Sequence, residues 1–245
     1  AAPVAIGAYA SALLVMRLNL PFLVALLLAG VIAAVLATLV TLPIWRLGGH
    51  YVSMATLALG YIVLSVIRGW DALTKGAYGL SGIPAPEILG LRLLVAEDHY
   101  QLDLVVLAIT LFVVFRIRSS HLGNVLAAVG SDEIASRSLG LRTRGYKALA
   151  YALAAFFAGM AGALLAHQYN YLDPTVFTVQ MSVLVLTIVV LGGINSPFGA
   201  VLGSLALVGL PEALRLAPDV RILLYGIVVI AIIRFLPQGL WTRRA

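Results

Sequence analysis

Residues 20–43 read LPFLVALLLAGVIAAVLATLVTLP, with no charged side chain among them. At 1.5 Å rise per residue an unbroken helix over this stretch is ~36 Å long, more than the ~30 Å hydrocarbon core of a bilayer. In hydrocarbon every backbone N–H and C=O must pair within the segment, so such a run reads as a transmembrane helix. Further apolar runs occupy about 1–16, 51–67, 102–117, 147–167, a broken pair at 181–194 and 199–214, and 221–236. The expected fold is therefore all-α: one polytopic membrane domain over 1–245 with seven or eight transmembrane or broken helices.

Composition agrees. Of 245 residues 62% are hydrophobic and 11% charged, against roughly 25% charged in a soluble domain, and the mean hydropathy is +1.06. A water-soluble protein is excluded. The absence of cysteine removes disulfides, thiolate nucleophiles and Cys-ligated metal or iron–sulfur sites. A net charge of +6 would suggest nucleic acid in a soluble protein, but in a membrane protein it is first a topology signal, and no nucleic-acid partner is expected. No basic flank precedes the first apolar run at Ala1, as it would in a signal peptide, and the start reads as trimmed.

Basic residues orient the chain, because cytoplasmic loops near span ends are rich in Lys and Arg. Between 116 and 147 stand Arg116, Arg118, Arg137, Arg142, Arg144 and Lys147 against Asp132 and Glu133 only, so this loop is read as cytoplasmic. Alternation puts Arg46 and the tail with Arg234, Arg243 and Arg244 on the same side. The loop from Arg68 to Gln101, where Asp71, Glu87, Glu97 and Asp98 offset Arg68, Lys75 and Arg92, falls outside with the loop around Asp173.

Within the cytoplasmic loop, Ser131 is a good N-cap, Asp132 and Glu133 suit a helix N-terminus, Arg137 lies toward the C-terminal end, and Gly140 can take the left-handed closing position. A helix of about two turns is predicted, with Ile134, Ala135, Ser138 and Leu139 on one face. So short a helix needs something to pack on, its own membrane domain or a cytosolic partner. A second feature is the breaker cluster Gly192-Gly193-Ile194-Asn195-Ser196-Pro197-Phe198-Gly199, which no continuous helix holds. Irregular backbone at membrane depth is tolerated where protein buries it or a watery cavity meets it. The cluster is thus either a turn or a re-entrant element, with Gly192, Gly193, Asn195 and Ser196 as candidate pathway residues.

The run Gly130-Ser-Asp-Glu-Ile-Ala-Ser-Arg-Ser-Leu-Gly-Leu141, then Tyr146-Lys147 and Phe156-Phe157-Ala158-Gly159-Met160-Ala161-Gly162-Ala163-Leu164, resembles the permeases of branched-chain amino-acid ABC importers, specifically the M-type of the two paired membrane subunits. Gly7-Ala8-Tyr9, Thr74-Lys-Gly-Ala-Tyr-Gly-Leu-Ser-Gly-Ile-Pro84, Val190-Leu-Gly-Gly-Ile-Asn-Ser196 with Gly199, and Pro237-Gln-Gly-Leu240 follow in the family's order. The resemblance implies that Asp132 to Gly140 is a coupling helix docking on an ATPase. It also implies a homologous second permease, two cytosolic ATP-binding subunits, an extracytoplasmic substrate-binding protein, and residence in the bacterial inner membrane among lipid. Two departures stand out: the family's preceding span is absent, and Tyr61 and Leu64 occupy places where many members carry an acid and a base. The second leaves urea and short amides as alternative substrates.

Other chemistry finds no support. The glycines of 192–199 are not followed by the Lys-Ser or Lys-Thr of a phosphate-binding loop, so ATP and magnesium are expected on partner chains. His50, His99, His121 and His167 lack paired-ligand spacing, and His167 beside Gln168 reads as an interface marker. No nucleophile elbow is present. Ion-driven transporters keep acids inside the bilayer, yet 20–43, 147–167 and 181–210 hold no carboxylate. An external motor therefore fits better than an ion gradient, and neither an ion-coupled secondary transporter nor a passive channel explains the capped helix in the basic loop. Ala155, Gly159 and Ala163, with Ala158, Gly162 and Ala166, are read as close helix contacts.

Overall fold

Pro21 fixes the entry to the decisive apolar run: it is the N-cap of α2 (Phe22–Thr41), with φ −55°. The helix before it, α1 (Ala2–Leu18), ends on Asn19 in the left-handed conformation, φ 47°, a common helix stop. The structure is a computed structural model, and it describes residues 1–44, 50–88, 91–93, 95–193 and 196–209. Two compact units divide the chain, Ala1–Val179 and Gln180–Ala245.

After α2 come α3 (His50–Gly69), the single turn α4 (Asp71–Thr74), α5 (Ala96–Arg118), α6 (His121–Ser131), α7 (Glu133–Ser138) and α8 (Thr143–Tyr169). Then follow α9 (Val179–Gly192) and α10 (Pro197–Ser204), the latter continuing as a π-helical turn over Leu205–Gly209. Among the described residues, strand structure is confined to two antiparallel pairs of two-residue strands. In one, β1 (Leu80–Ser81) faces β4 (Tyr171–Leu172); in the other, β2 (Glu87–Ile88) faces β3 (Leu91–Arg92).

The apolar runs that fall among the described residues thus become helices. Among the described residues three are long and apolar enough to cross a membrane, or up to five if each bent pair forms one span. One bent pair is the expected broken one: α9 and the helix from Pro197 turn by 118°. The other, α3 with Asp71–Tyr78, bends by 76° and is not evident in the sequence. Helix α5 starts at Ala96, earlier than its apolar run, because Glu97 and Asp98 occupy its first turn, where negative charge suits the dipole. The apolar run 221–236, Arg46, and the tail with Arg234, Arg243, Arg244 and the Pro237–Leu240 motif lie outside the described residues.

In the first unit α1, α2 and α8 pack through small residues. Ala5, Ala8, Ala12, Ala25, Ala29, Ala33, Ala155, Ala163 and Ala166 are all buried. A Cβ on Gly7 would strike the Gly159 backbone, one on Gly159 would strike Ala33, and one on Gly162 would strike the Val4 carbonyl. In hydrocarbon, close backbone approach and dispersion hold helices together, which is what small residues permit. Larger side chains fill the margin, where Phe22, Leu26 and Met160 cluster around Ala29 and Ala163. In the second unit, Gly192 and Gly199 meet backbone to backbone, and Gly203 meets the Ile188 carbonyl.

Candidate functional site

Between α5 and α8 the chain builds two short helices, not one. Sequence reading missed α6, although its signals are present: Ser120 is its N-cap, accepting from the Gly123 amide at 3.4 Å, and Leu122, Val125, Leu126 and Val129 recur at helical spacing. This moves the cap of the next helix. Ser131 is the last residue of α6, its hydroxyl donating to the Ala128 carbonyl at 2.9 Å. The N-cap of α7 is Asp132, whose carboxylate accepts from the amides of Ile134 and Ala135 at 2.8 and 3.0 Å. The helix runs Glu133–Ser138, shorter than the predicted Asp132 to Gly140. Gly140 closes it with φ 82°, a left-handed backbone that favours glycine.

A charged clamp fixes α7 to the start of α8. Glu133 pairs with Lys147 and, at 2.6 Å, with Arg137. The Thr143 hydroxyl donates to Glu133 at 3.2 Å and accepts from Arg137 Nε at 3.0 Å. The Lys147 hydrogen bond is the main cause that holds the Glu133 carboxyl down at about 2; desolvation opposes it and Arg137 adds to the lowering. Ser136 is buried on the inner side. On the other side Ile134 and Leu139 stand 80% and 81% exposed, with Ala135, Arg137 and Ser138 also exposed. A capped helix thus exposes two branched aliphatic side chains, Ile134 within it and Leu139 at its C-terminal cap.

The opposite end of α8 carries a buried polar tie, made by His167. His167 is 1% exposed. Its Nδ1 lies 2.8 Å from the Pro84 carbonyl and its Nε2 2.9 Å from the Ser11 hydroxyl. A carbonyl can only accept, so Nδ1 carries the proton, and in the neutral ring Nε2 accepts from Ser11. The ring also meets Phe22 edge-on at 4.9 Å. One side chain therefore joins α1, α2, α8 and the loop before β2. The candidate pathway residues lie in the second unit. There Gly192 and Gly193 are buried, Gly193 has φ 110°, and Ser196 caps α10 by accepting from the Gly199 amide at 3.1 Å. Asn195 lies outside the described residues.

Residues 1–233 match the family described as "Branched-chain amino acid transport system / permease component". The chain belongs to that family. It is 34% identical to the high-affinity branched-chain amino acid transport system permease protein LivM of Escherichia coli strain K12, over 96% of this chain and 61% of that protein. The permease protein LivH of the same organism is 33% identical over 57% of this chain and 44% of its own length. BraD of Pseudomonas aeruginosa is 32% identical over 57% and 45%. The more extensive match to LivM agrees with the M-type resemblance, and the chain spans about six tenths of that relative's length. No solved structure matches. Family and apolar helices together make this a multi-pass membrane protein of the transport-permease kind.

Proposed function

We propose that this chain is a membrane subunit of an ATP-driven importer that moves branched-chain amino acids into the bacterial cytoplasm through the inner membrane by alternating access. The observation that carries the reading is the α7 surface: Ile134 and Leu139 exposed on a helix clamped through Glu133 to Lys147 of α8. In this reading the basic loop 116–147 is cytoplasmic, and α7, with residues Ser131 to Gly140 around it, meets an ATP-binding subunit. A second permease, two such ATPases and an extracytoplasmic binding protein complete the assembly. ATP and magnesium bind the ATPases, and this chain does no covalent chemistry.

Motion of an ATPase displaces α7; the Glu133 clamp passes that displacement to α8. Helix α8 then moves with α1 and α2, because glycine contacts at Gly7, Gly159 and Gly162 leave no side-chain slack between backbones. Packed helices shift between discrete arrangements and do not deform continuously, which suits a pathway open to one side at a time. Glu97 and Asp98 sit in the first turn of α5 and Asp103 at the start of the apolar run 102–117, toward one end of that span and not at its middle.

The test is uptake of labelled leucine into proteoliposomes holding the assembled transporter and its binding protein. ATP-dependent uptake, competed by isoleucine and valine and not by urea, is expected. Uptake driven by an ion gradient without ATP overturns the reading. Competition by urea alone moves the substrate to the amide branch, the one suggested by Tyr61 and Leu64.

A further inference from the structure

The turn between α7 and α8 holds a second feature, which coupling does not use. Gly140, Leu141, Arg142, Gly145, Tyr146 and Leu149 line an open cavity of about 300 Å³, at the lower end of the ~300–1,000 Å³ usual for small-ligand pockets. Arg142 is the N-cap of α8, and Gly145, Tyr146 and Leu149 follow it by three, four and seven residues, so the four stand on one helix face. Along that face the chemistry changes in order, from a guanidinium to a phenol to an exposed aliphatic side chain, over ~10 Å of helix axis. Helix α8 is long and apolar enough to cross a membrane. The groove therefore runs from the end of a span into its apolar part.

Backbone hydrogen bonds hold the groove in shape. The Leu141 amide donates to the Ser136 carbonyl at 3.1 Å, and the amides of Gly145 and Tyr146 both donate to the Arg142 carbonyl, at 3.0 and 3.3 Å. The gap in its wall is at Gly145. The backbone there is helical and a Cβ would meet open space, so neither strain nor close packing requires glycine, although it is the weaker helix former. The cations around the gap are not equivalent. Lys147 and Arg137 are both committed to Glu133, whereas Arg142 is exposed and makes no ion pair among the described residues.

We propose that this groove binds one anionic phospholipid. Arg142 pairs with the phosphodiester, the space left at Gly145 admits the headgroup, the Tyr146 hydroxyl hydrogen-bonds beside it, and an acyl chain runs over Leu141 and Leu149. The order of the side chains is that of the lipid itself, charge first and hydrocarbon last, which no soluble anion matches. Basic side chains at the cytoplasmic end of a span attract anionic lipid, by about 1 kcal/mol for each Lys or Arg near the surface, and Tyr is enriched at the membrane interface. Only the choice of leaflet rests on the transport reading above, through the cytoplasmic placement of loop 116–147.

Native mass spectrometry of the detergent-purified chain, titrated with phosphatidylglycerol and separately with phosphatidylcholine, tests the site. One phosphatidylglycerol is expected to bind about fivefold more tightly than phosphatidylcholine, and excess inorganic phosphate should not displace it. Arg142→Gln should remove that preference. Gly145→Leu fills the gap with a better helix former and should abolish binding at an unchanged melting midpoint, since its Cβ meets open space. Arg144→Gln removes the same charge from a residue that does not line the groove and should cost less than Arg142→Gln. Equal losses in the two arginine variants, wild-type affinity in Gly145→Leu, equal binding of the two lipids, or displacement by phosphate overturns the proposal. So does loss of the bound phosphatidylglycerol when ATP-binding subunits are added, which gives the groove to a protein partner. Leucine uptake, which tests the transport reading, is measured apart from all of these.

Discussion

Gly159 sits where three helices meet, and a single added side chain there has nowhere to go. Its missing Cβ faces Ala33 and the Ala29 carbonyl, and its own backbone abuts Gly7. Overpacking a filled core costs ~1–3 kcal/mol and more when backbone must move. Gly159→Leu should therefore lower the thermal midpoint of the detergent-solubilised protein by several degrees. Gly60→Ala is the control: nothing lies within 4 Å of its Cβ position, and alanine is the better helix former, so its midpoint should stay or rise. His167→Leu makes a second prediction, because it strands the buried Ser11 hydroxyl and removes the hydrogen bond to the Pro84 carbonyl. An orphaned buried hydroxyl costs ~1–3 kcal/mol, so the loss should exceed that of Ser11→Ala in the same melt. The sequence announced the small-residue stripe, since spacing alone carries it. It could not announce the His167 tie, whose partners are 156 and 83 residues away.

Helix α7 shows how local chemistry underdetermines an element's edges. Ser131 and Asp132 are both capable caps. The choice fell to Asp132 because Ser131 still belongs to α6, a helix missed because its eleven residues were read only as part of a basic loop. The exposed face of Ile134, Ala135, Ser138 and Leu139 was legible from periodicity; the clamp to Lys147 was not, because it depends on the turn at Gly140. Asp132→Ala should destabilise α7 by ~1 kcal/mol, as loss of a cap does, visible as faster amide exchange over residues 134–139. The clamp also fixes a pH response. Glu133 falls from 4.5 to about 2 on folding, so its stabilising contribution is complete above pH 4.5 and fades as pH drops toward 2. The Glu133 side-chain carboxyl carbon should titrate in NMR with a midpoint near 2, and Glu133→Gln should remove this dependence and loosen α7 at neutral pH.

For the molecule as a whole, composition sufficed for the membrane and for the long apolar helices among the described residues, because hydrocarbon admits few alternatives to a helix. Which helices touch was not legible. Small residues mark close contact without naming the partner, and α1, α2 and α8 share one core only by virtue of where Gly7, Gly30 and Gly159 meet. In the proposed mechanism this core is driven through α7. The most direct measurement is on the double variant Ile134→Asp with Leu139→Asp, assembled with its ATP-binding subunits and assayed for ATPase co-purification and ATP-driven leucine uptake. Both side chains are about four-fifths exposed, so the melting midpoint should not change. Unpaired charge in an apolar interface is costly, so association and uptake should both fall more than about tenfold. Retention of both at wild-type levels contradicts the claim.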